Sequence, residues 1–460
     1  MSRRPLPLLR ATLLLGGLLL TACHKVPAMT DAEQLALQPY ISQLQPRCLG
    51  RYLIDLPSQM RYGLADNMRT VINDATISVK PISQALFEAN LKQRLAYLKQ
   101  LTIIDNHSQN GLDLVVPIQG GMVFDRVEDD KYPTSRVGRT IELWGWKAGY
   151  FIKIETKAVN ISYFTDPNDR EGLKSDVAEK LVYLQRMYSR IRGRSFDEVP
   201  TEPGLCFYNG FFASPGEERE EMWLTLVTRG IDDVILLFET NPEGSDSVLQ
   251  YLPGESANLA LQAKEKNASY QLLRSGKRQS TAGIPFEEAL HAGPTRETDQ
   301  LFGAGQALQG HKMLLRAYFD HPTPAQPYVQ LTLRNGQRQG DQRGTMEQAD
   351  HPWPALKKAS LSDAQSVALW DAITATLRLR PTQPGSGTMA PLGDVAALPP
   401  APPDPSQYPQ LLRCRSGERC PQAGYWLVVR PREGSPLVLS RHFAEAETFP
   451  QALLQHESTG

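Results

Sequence analysis

The amino-acid sequence predicts an α+β fold with two tandem, related domains, each an antiparallel sheet with helices on one face, plus a small disulfide-stapled β tail. Three observations predict this arrangement. Two successive segments repeat one order of strands and helices, a proline-rich stretch follows them, and two closely spaced cysteines lie beyond that stretch. At 460 residues the chain is also too long for one ordinary hydrophobic core.

Composition excludes several classes of protein. Hydrophobic residues make up 41% of the chain and charged residues 22%, which is unlike a disordered, collagen-like or multiply membrane-spanning protein. The 49 Lys and Arg residues balance 50 Asp and Glu residues, leaving a formal net charge of -1. Because no overall positive field would attract phosphates, we expect no nucleic-acid partner.

The first 22 residues have the pattern of an export signal. A basic start precedes an apolar run that is shorter than the roughly 20 residues of a membrane-spanning helix. Residues 20–23, Leu-Thr-Ala-Cys, then resemble the lipobox of bacterial lipoproteins, in which the thiol is acylated after cleavage. We therefore expect 1–22 to be removed, Cys23 to carry the lipid and 23–44 to form a tether. The alternative is an ordinary cleavage site beside a free cysteine.

The residue after the lipid site bears on the destination of the protein. His24 stands where an aspartate would retain a lipoprotein in the inner membrane, so we expect attachment to the outer membrane, facing the periplasm. The remaining cysteines form an even set, which suits an oxidising compartment. They are Cys48, Cys206, Cys414 and Cys420.

Two of these cysteines are close enough in sequence to close a small loop. Cys414 and Cys420 are separated by five residues, and we predict a disulfide between them. A zinc site is the alternative, but no second cysteine pair lies nearby and His442 alone does not complete a tetrahedral set. Cys48 and Cys206 either pair or remain buried thiols, and the sequence leaves both possibilities open.

The first domain is predicted over residues 45–196. It opens with a short apolar strand at 52–57 that ends in proline, and a helix capped by Ser83 follows. A hairpin then runs from 140 to 155, and its return strand alternates apolar with charged residues, so that one face is exposed to water. An amphipathic helix closes the domain and ends in the Arg-Ile-Arg of 190–192.

The second domain is predicted over residues 200–381 and repeats this order. It opens at Cys206, continues through apolar strands and closes with a helix that begins at Ser362 and ends in the Arg-Leu-Arg of 378–380. The predicted strands are 222–227, 234–239, 313–319 and 328–333.

The last part of the chain has a different composition. Residues 382–409 are rich in Pro, Gly and Ala, which predicts an extended linker. Residues 410–460 contain apolar runs at 425–429 and 437–439, which predict a small β module. Because so few residues bury little surface unaided, we expect the cysteine pair to stabilise it.

No catalytic motif is present in the sequence. We find no nucleophile elbow, zinc-binding helix or phosphate loop, and the glycines of 303–310 have the wrong spacing for a dinucleotide site. His311 and His321 flank a strand without an adjacent carboxylate cluster, so structural roles are favoured. We therefore predict no catalytic residue, no cofactor and no metal.

Acidic runs and aromatic residues offer candidate interface positions. The acidic runs lie at 128–130 and 217–221, and we interpret them as solvated faces, with steering of a basic partner as the alternative. The aromatic residues lie in or beside apolar strands, so packing in the core is favoured over an interface. They are Trp144, Trp146, Phe207, Tyr208, Phe211 and Phe212.

The residues that carry the duplication resemble a known family. Residues 48–57 (CLGRYLIDLP) are similar to the first domain of the lipoprotein immunity proteins that neutralise type VI secretion lipase effectors, fourth class. Residues 204–207 and 362–381 are similar to the start and end of that family's C-terminal domain. The resemblance covers about residues 45–385 and identifies no partner-binding residue.

The resemblance implies an inhibitor whose partner is a cognate secreted phospholipase. On this interpretation the protein is not an enzyme: it binds the toxin in the periplasm, held at the membrane by its lipid anchor, and protects the producing cell and its kin. Two alternatives from other classes are an envelope structural or assembly lipoprotein and, with less support, a periplasmic hydrolase.

Overall fold

The computed structural model describes residues 26–381 with gaps, and in the C-terminal part the backbone of 424–428 and 439–443. The gaps are 66–67, 104–105, 133–134, 165–171, 242–246, 295–307, 318, 320–321, 338–355 and 357. The predicted lipid site Cys23 and the predicted pair Cys414 and Cys420 lie outside the described residues.

The helices and strands alternate in the same order in both halves of the body. The helices are α1 (Asp31–Ile41), α2 (Gln84–Lys99), α3 (Val177–Arg190), α4 (Val248–Glu265) and α5 (Asp363–Thr374). Strands of the N-terminal half are β1 (Leu44–Leu49), β2 (Tyr52–Pro57), β3 (Met60–Tyr62), β4 (Arg69–Ile72), β5 (Ala75–Pro81), β6 (Thr102–Ile103), β7 (Asn106–Asn110), β8 (Leu112–Ile118), β9 (Gly121–Val127), β10 (Gly138–Lys147), β11 (Tyr150–Val159) and β12 (Ile191–Gly193). Those of the C-terminal half are β13 (Gly204–Phe207), β14 (Gly210–Ala213), β15 (Glu220–Thr228), β16 (Val234–Asn241), β17 (Gln271–Gln279), β18 (Pro285–Pro294), β19 (Gln309–Ala317), β20 (Tyr328–Asn335) and β21 (Arg378–Leu379), and the tail adds β22 (Gly424–Val428) and β23 (Leu439–Phe443).

A single antiparallel sheet runs through both halves. It has thirteen strands, in the order β17-β18-β19-β20-β16-β15-β4-β5-β11-β10-β9-β8, with β3 also paired to β15. The halves meet where β15 pairs with β4, from Glu220 opposite Ile72 to Trp223 opposite Arg69. Counted outward from this junction, the strands of one half are β4-β5-β11-β10-β9-β8 and those of the other are β15-β16-β20-β19-β18-β17. The two orders correspond strand by strand, so the two predicted domains are related by a pseudo-twofold axis and share one sheet.

Each half also contributes its exit strand to the other half. β12, which leaves the N-terminal half, pairs with β14 of the C-terminal half. β21, which leaves the C-terminal half, pairs with β2 of the N-terminal half. The two small three-stranded sheets that result, β1-β2-β21 and β12-β14-β13, hold the halves together reciprocally.

The α+β class with two tandem domains is confirmed, but the helices lie on both faces of the sheet rather than on one. In β9, Val123 belongs to the core beneath α3, whereas Phe124 packs in a separate cluster with Leu98 of α2. In β18, Leu290 likewise belongs to the main core, whereas Ala289 packs in a separate cluster with Val248 of α4. β9 and β18 are therefore buried on both sides along most of their length, whereas β11 alternates buried with partly exposed or exposed residues.

Helix boundaries follow local capping. The side chains of Ser83 and Ser362 accept hydrogen bonds from the backbone amides of Leu86 and Gln365, as the sequence predicts. The sequence analysis did not predict α4, which has Pro253 inside it.

The two opening hairpins are joined by a disulfide. Cys48 and Cys206 are bonded, with 5.8 Å between their Cα atoms and a sequence separation of 158. Gly50 and Cys206 exchange backbone hydrogen bonds of 2.8 and 2.9 Å beside the bond. Gly50 has a φ of +60°, and an added Cβ would lie 3.2–3.3 Å from side chains of the C-terminal half. The alternative of buried thiols is therefore excluded in this structure.

Candidate functional site

The centre of one sheet face forms the candidate partner-binding surface. On the face that carries α2 and α4, α2 packs on β10 and α4 on β17, β18 and β19, so these helices lie over the outer strands. Within the described part of the chain, no helix makes comparable packing contacts with the central strands on this side. We define the open face by side chains that point to this side from β11, β5, β4, β15 and β16: Lys153, Glu155, Thr76, Arg69, Trp223 and Glu239.

An arginine–tryptophan pair lies at the middle of the open face, on the junction of the two halves. The guanidinium carbon of Arg69 is 5.6 Å from the ring centroid of Trp223, which is within the range of a cation–π interaction. Trp223 is partly buried and Arg69 is exposed. Tryptophan and arginine are the residues most enriched at energetically dominant positions of protein interfaces.

Polar side chains bridge neighbouring strands on either side of this pair. In the C-terminal half, Arg316 Nε donates to Gln330 Oε1 at 2.7 Å, and Gln330 Nε2 donates to Glu239 Oε2 at 3.0 Å. In the N-terminal half, Glu155 binds Arg126 at 3.0 Å and Lys153 at 2.8 Å. These contacts hold the side chains in fixed positions, which reduces the entropy lost when a partner binds.

A fully buried carboxylate anchors the N-terminal edge of this network. Glu142 of β10 binds Arg94 of α2 at 2.6 Å and also binds Arg126. Burial alone would raise the pKa of Glu142, but the hydrogen bond from Arg94 and the charges of Arg126 and Arg94 outweigh it and lower the pKa. Glu142 therefore stays ionised and fixes α2 on the sheet.

The acidic run at 217–221 is not a solvated face. Glu220 is 1% exposed and pairs with Arg51 at 2.6 Å, whereas the neighbouring Glu221 lies on the other side of β15 with Arg219. The run at 128–130 lies at the rim of an open pocket of about 780 Å³ that also includes the exposed Tyr132.

Most of the predicted aromatic residues belong to the core. Phe207, Phe211 and Phe212 are at most 1% exposed, which confirms the favoured interpretation for them. Trp144 and Trp146 are partly buried and donate hydrogen bonds from their indole nitrogens. The interface-like tryptophan is instead Trp223, which the sequence analysis did not single out.

Buried arginines fix the relative position of the two halves. Arg194 follows β12 and donates to Tyr62 Oη at 3.0 Å, and Arg380 follows β21 and donates to the carbonyl of Gly204 at 2.6 Å. Burial lowers the pKa of Arg380 to about 10. Burial raises the pKa of Glu220, although the hydrogen bond from Arg51 opposes this shift. A buried charged side chain destabilises the fold unless it has a hydrogen-bonding or oppositely charged partner. The junction of the two halves therefore depends on every one of these contacts.

One histidine cluster has the composition of a catalytic triad. His311 Nε2 lies 2.8 Å from Asp363 Oδ1, and His311 Nδ1 lies 3.2 Å from Ser366 Oγ and 2.8 Å from Asn335 Nδ2. The sequence analysis missed these partners because 24 to 55 residues separate them from His311. Ser366 is 0% exposed, so its hydroxyl is out of reach of a substrate. The cluster joins α5 to β19 and β20.

The described residues contain no group of three or more His, Cys, Asp or Glu side chains placed to hold a metal ion. Among the same residues, no helix has both the length and the apolar character needed to cross a membrane.

Two family models match the two halves. The model for the Tle cognate immunity protein 4 N-terminal domain matches residues 45–194, and that for its C-terminal domain matches residues 198–382. This chain belongs to the Tle cognate immunity protein 4 family. Residues after 382 lie outside both matches. A search of curated proteins finds no match.

Solved structures share the fold of this family member. The apo immunity protein TplEi of the Pseudomonas aeruginosa type VI secretion system is 17% identical, with a TM-score of 0.52 and coverage of 74% of this chain and 98% of TplEi. A chain of the Tle4–Tli4 complex is 17% identical, with a TM-score of 0.54 and coverage of 75% and 99%. TplEi bound to an "L" peptide is 16% identical, with a TM-score of 0.50 and coverage of 74% and 100%.

Proposed function

We propose that this family member binds and inhibits a cognate type VI secreted phospholipase in the periplasm, protecting the producer and its kin from hydrolysis of their membrane lipids. The observation that carries the proposal is the match of both immunity domains, which together include the whole shared sheet. The solved Tle4–Tli4 complex, in which a protein of this fold is bound to Tle4, supports a partner of the same kind.

We place the effector on the open face. Both halves contribute to this surface, and Arg69 and Trp223 at its centre lie on the junction, so a partner bound there would contact both halves at once. An interface of the standard size, about 1,600 Å², needs such a continuous surface. The bound protein would inhibit the lipase by obstructing it sterically. Its surface would contribute complementary shape and charge, and no chemical reaction would be needed.

The buried state of Ser366 favours an inhibitor over a hydrolase. A serine nucleophile has to reach the substrate, and the hydroxyl of Ser366 is enclosed between His311 and Asn335. The cluster therefore supports a structural role in the C-terminal half.

Lipid attachment through Cys23 would place the inhibitor where a lipase acts. Two or more acyl chains give firm anchoring, and confinement to the outer membrane raises the local concentration of the inhibitor without any new contact. Val26 and Met29 pack against the main core and α1 packs on α5, so these residues belong to the body rather than to the predicted tether 23–44.

The test is co-expression with lipase effectors encoded in the same genome, each directed to the periplasm of a sensitive host. We expect survival with one effector only when this protein is present, and co-purification of that effector with the protein. A second version with Cys23→Ser and a cleavable signal separates anchoring from inhibition, because it should still bind the effector in vitro. Failure to protect against, or to bind, every effector would refute the proposal.

A further inference from the structure

The two ends of the shared sheet are equivalent by the pseudo-twofold axis but differ in chemistry. β17 forms one end and carries three basic residues, Arg274, Lys277 and Arg278, each of which makes an ion pair. β8 forms the other end, and its sequence LDLVVPI contains a single charged residue, Asp113.

This difference matters because the last strand of a sheet presents backbone groups to which another strand can bond. Natural sheets protect such strands with basic side chains, as β17 does, or by covering them. β8 lacks the basic residues. Its register shift at Leu112/Leu114 and its Pro117 protect the two ends, but Leu114, Val115 and Val116 between them are partly exposed. This short apolar stretch is a site for strand addition.

The tail of the chain lies beside this edge. β22 and β23 form an antiparallel hairpin, with Trp426 opposite Arg441, and Cα atoms of β23 come within 8 Å of those of β8. β22 and β23 form a separate two-stranded sheet, so β23 lies beside β8 without pairing with it.

From this placement we propose that the C-terminal hairpin is the occupant of the β8 edge and closes it against strand addition by another chain. The tail lies outside both family models, and the solved relatives are covered almost completely by about three quarters of this chain. The tail therefore adds a protective element to a body that forms without it in those relatives. This role is independent of effector binding.

Hydrogen exchange of the full chain tests the proposal. Ser440→Pro and His442→Pro together place two prolines in β23, which should break its pairing with β22 and so undock the hairpin. A second variant ends at Pro381. In both we expect the amides of 112–118 to exchange at least about tenfold faster than in the unmodified chain, while those of 271–279 at the opposite edge are unchanged.

Self-association provides a second readout. With the hairpin displaced, the protein should form concentration-dependent dimers in sedimentation, and Leu114→Lys should restore the monomer by adding charge to the open edge. If exchange at 112–118 is the same in both variants as in the unmodified chain, or if all amides change together, the hairpin is not the occupant of this edge.

Discussion

The two sides of the central sheet differ sharply at neighbouring positions of one strand. Glu220 points to the buried side of β15, where it is paired with Arg51 close to the Cys48–Cys206 bond. Glu221 points to the open face, where its partner Arg219 is about half exposed. The same strand thus carries a contact that joins the halves and a surface that a partner can reach. On our proposal, one side of the sheet stabilises the fold and the other binds the effector, so substitutions should change the two properties separately.

Removal of the disulfide should have the largest effect. Cys48→Ala with Cys206→Ala opens a cross-link between residues 158 apart in sequence, and the chain-entropy relation gives a loss of about 5 kcal/mol in the free energy of unfolding. Urea unfolding of the variant and of the oxidised protein measures this loss. An unchanged midpoint would mean that the swapped exit strands alone hold the halves together.

The buried ion pair should come next. Arg51→Met leaves Glu220 buried without a partner, which costs about 3–5 kcal/mol of stability. Arg219→Met is the matched control on the open face, where we expect a change below about 1 kcal/mol. The distinction between the two sides fails if both substitutions cost the same.

Substitution of Trp223 should affect binding rather than folding. Trp223→Ala removes the aromatic surface at the centre of the open face, and we expect a loss of about 2 kcal/mol in effector binding, roughly 30-fold in affinity. Leu35→Ala is the control, because Leu35 is exposed on α1, which packs with α5 on the other side. Calorimetry with the effector would contradict the placement if Leu35→Ala weakened binding and Trp223→Ala did not.

The last expected effect, about as large as that of Trp223→Ala, concerns His291, which α4 covers at the margin of the open face. Burial lowers the pKa of His291 to about 4, the charges of Glu255 and Lys312 acting in opposite directions. The unfolded chain therefore takes up the proton first, and stability is lost as pH falls from about 6.5 towards 4.

His291→Gln does not titrate and can still accept the hydrogen bond from Tyr270. Between pH 8 and pH 5 we expect the unmodified protein to lose about 2 kcal/mol more than this variant. If urea unfolding shows that both proteins lose the same free energy of unfolding between these pH values, His291 remains accessible to protons in the folded state.

Local signals in the sequence predict much of the fold. The caps at Ser83 and Ser362 and the strands of the hairpin at 140–155 appear as expected, because each depends on residues close together in the chain. The Arg-x-Arg segments do not end the helices as predicted: Ile191–Gly193 and Arg378–Leu379 form the exit strands β12 and β21. The pairing of β4 with β15 and that of β21 with β2 depend on residues about 150 or more apart, which no local pattern encodes.

The candidate site was less predictable for the same reason. Alternation along 220–228 separates two faces, but which face stays open depends on where α2 and α4 pack. The clustering of His311 with Asp363 and Ser366 likewise requires the folded C-terminal half. Alternation of apolar and polar residues along the central strands is the signal for the open face. It identifies that face only when the order of the strands in the sheet is already known.

Titration of the purified protein against its effector, with phospholipid hydrolysis as the readout, tests the occlusion mechanism directly. Turnover should fall to zero at a fixed molar ratio, with Trp223→Ala shifting the curve to higher protein concentration and Leu35→Ala leaving it unchanged. Full hydrolysis in the presence of saturating, stably bound protein would contradict the mechanism.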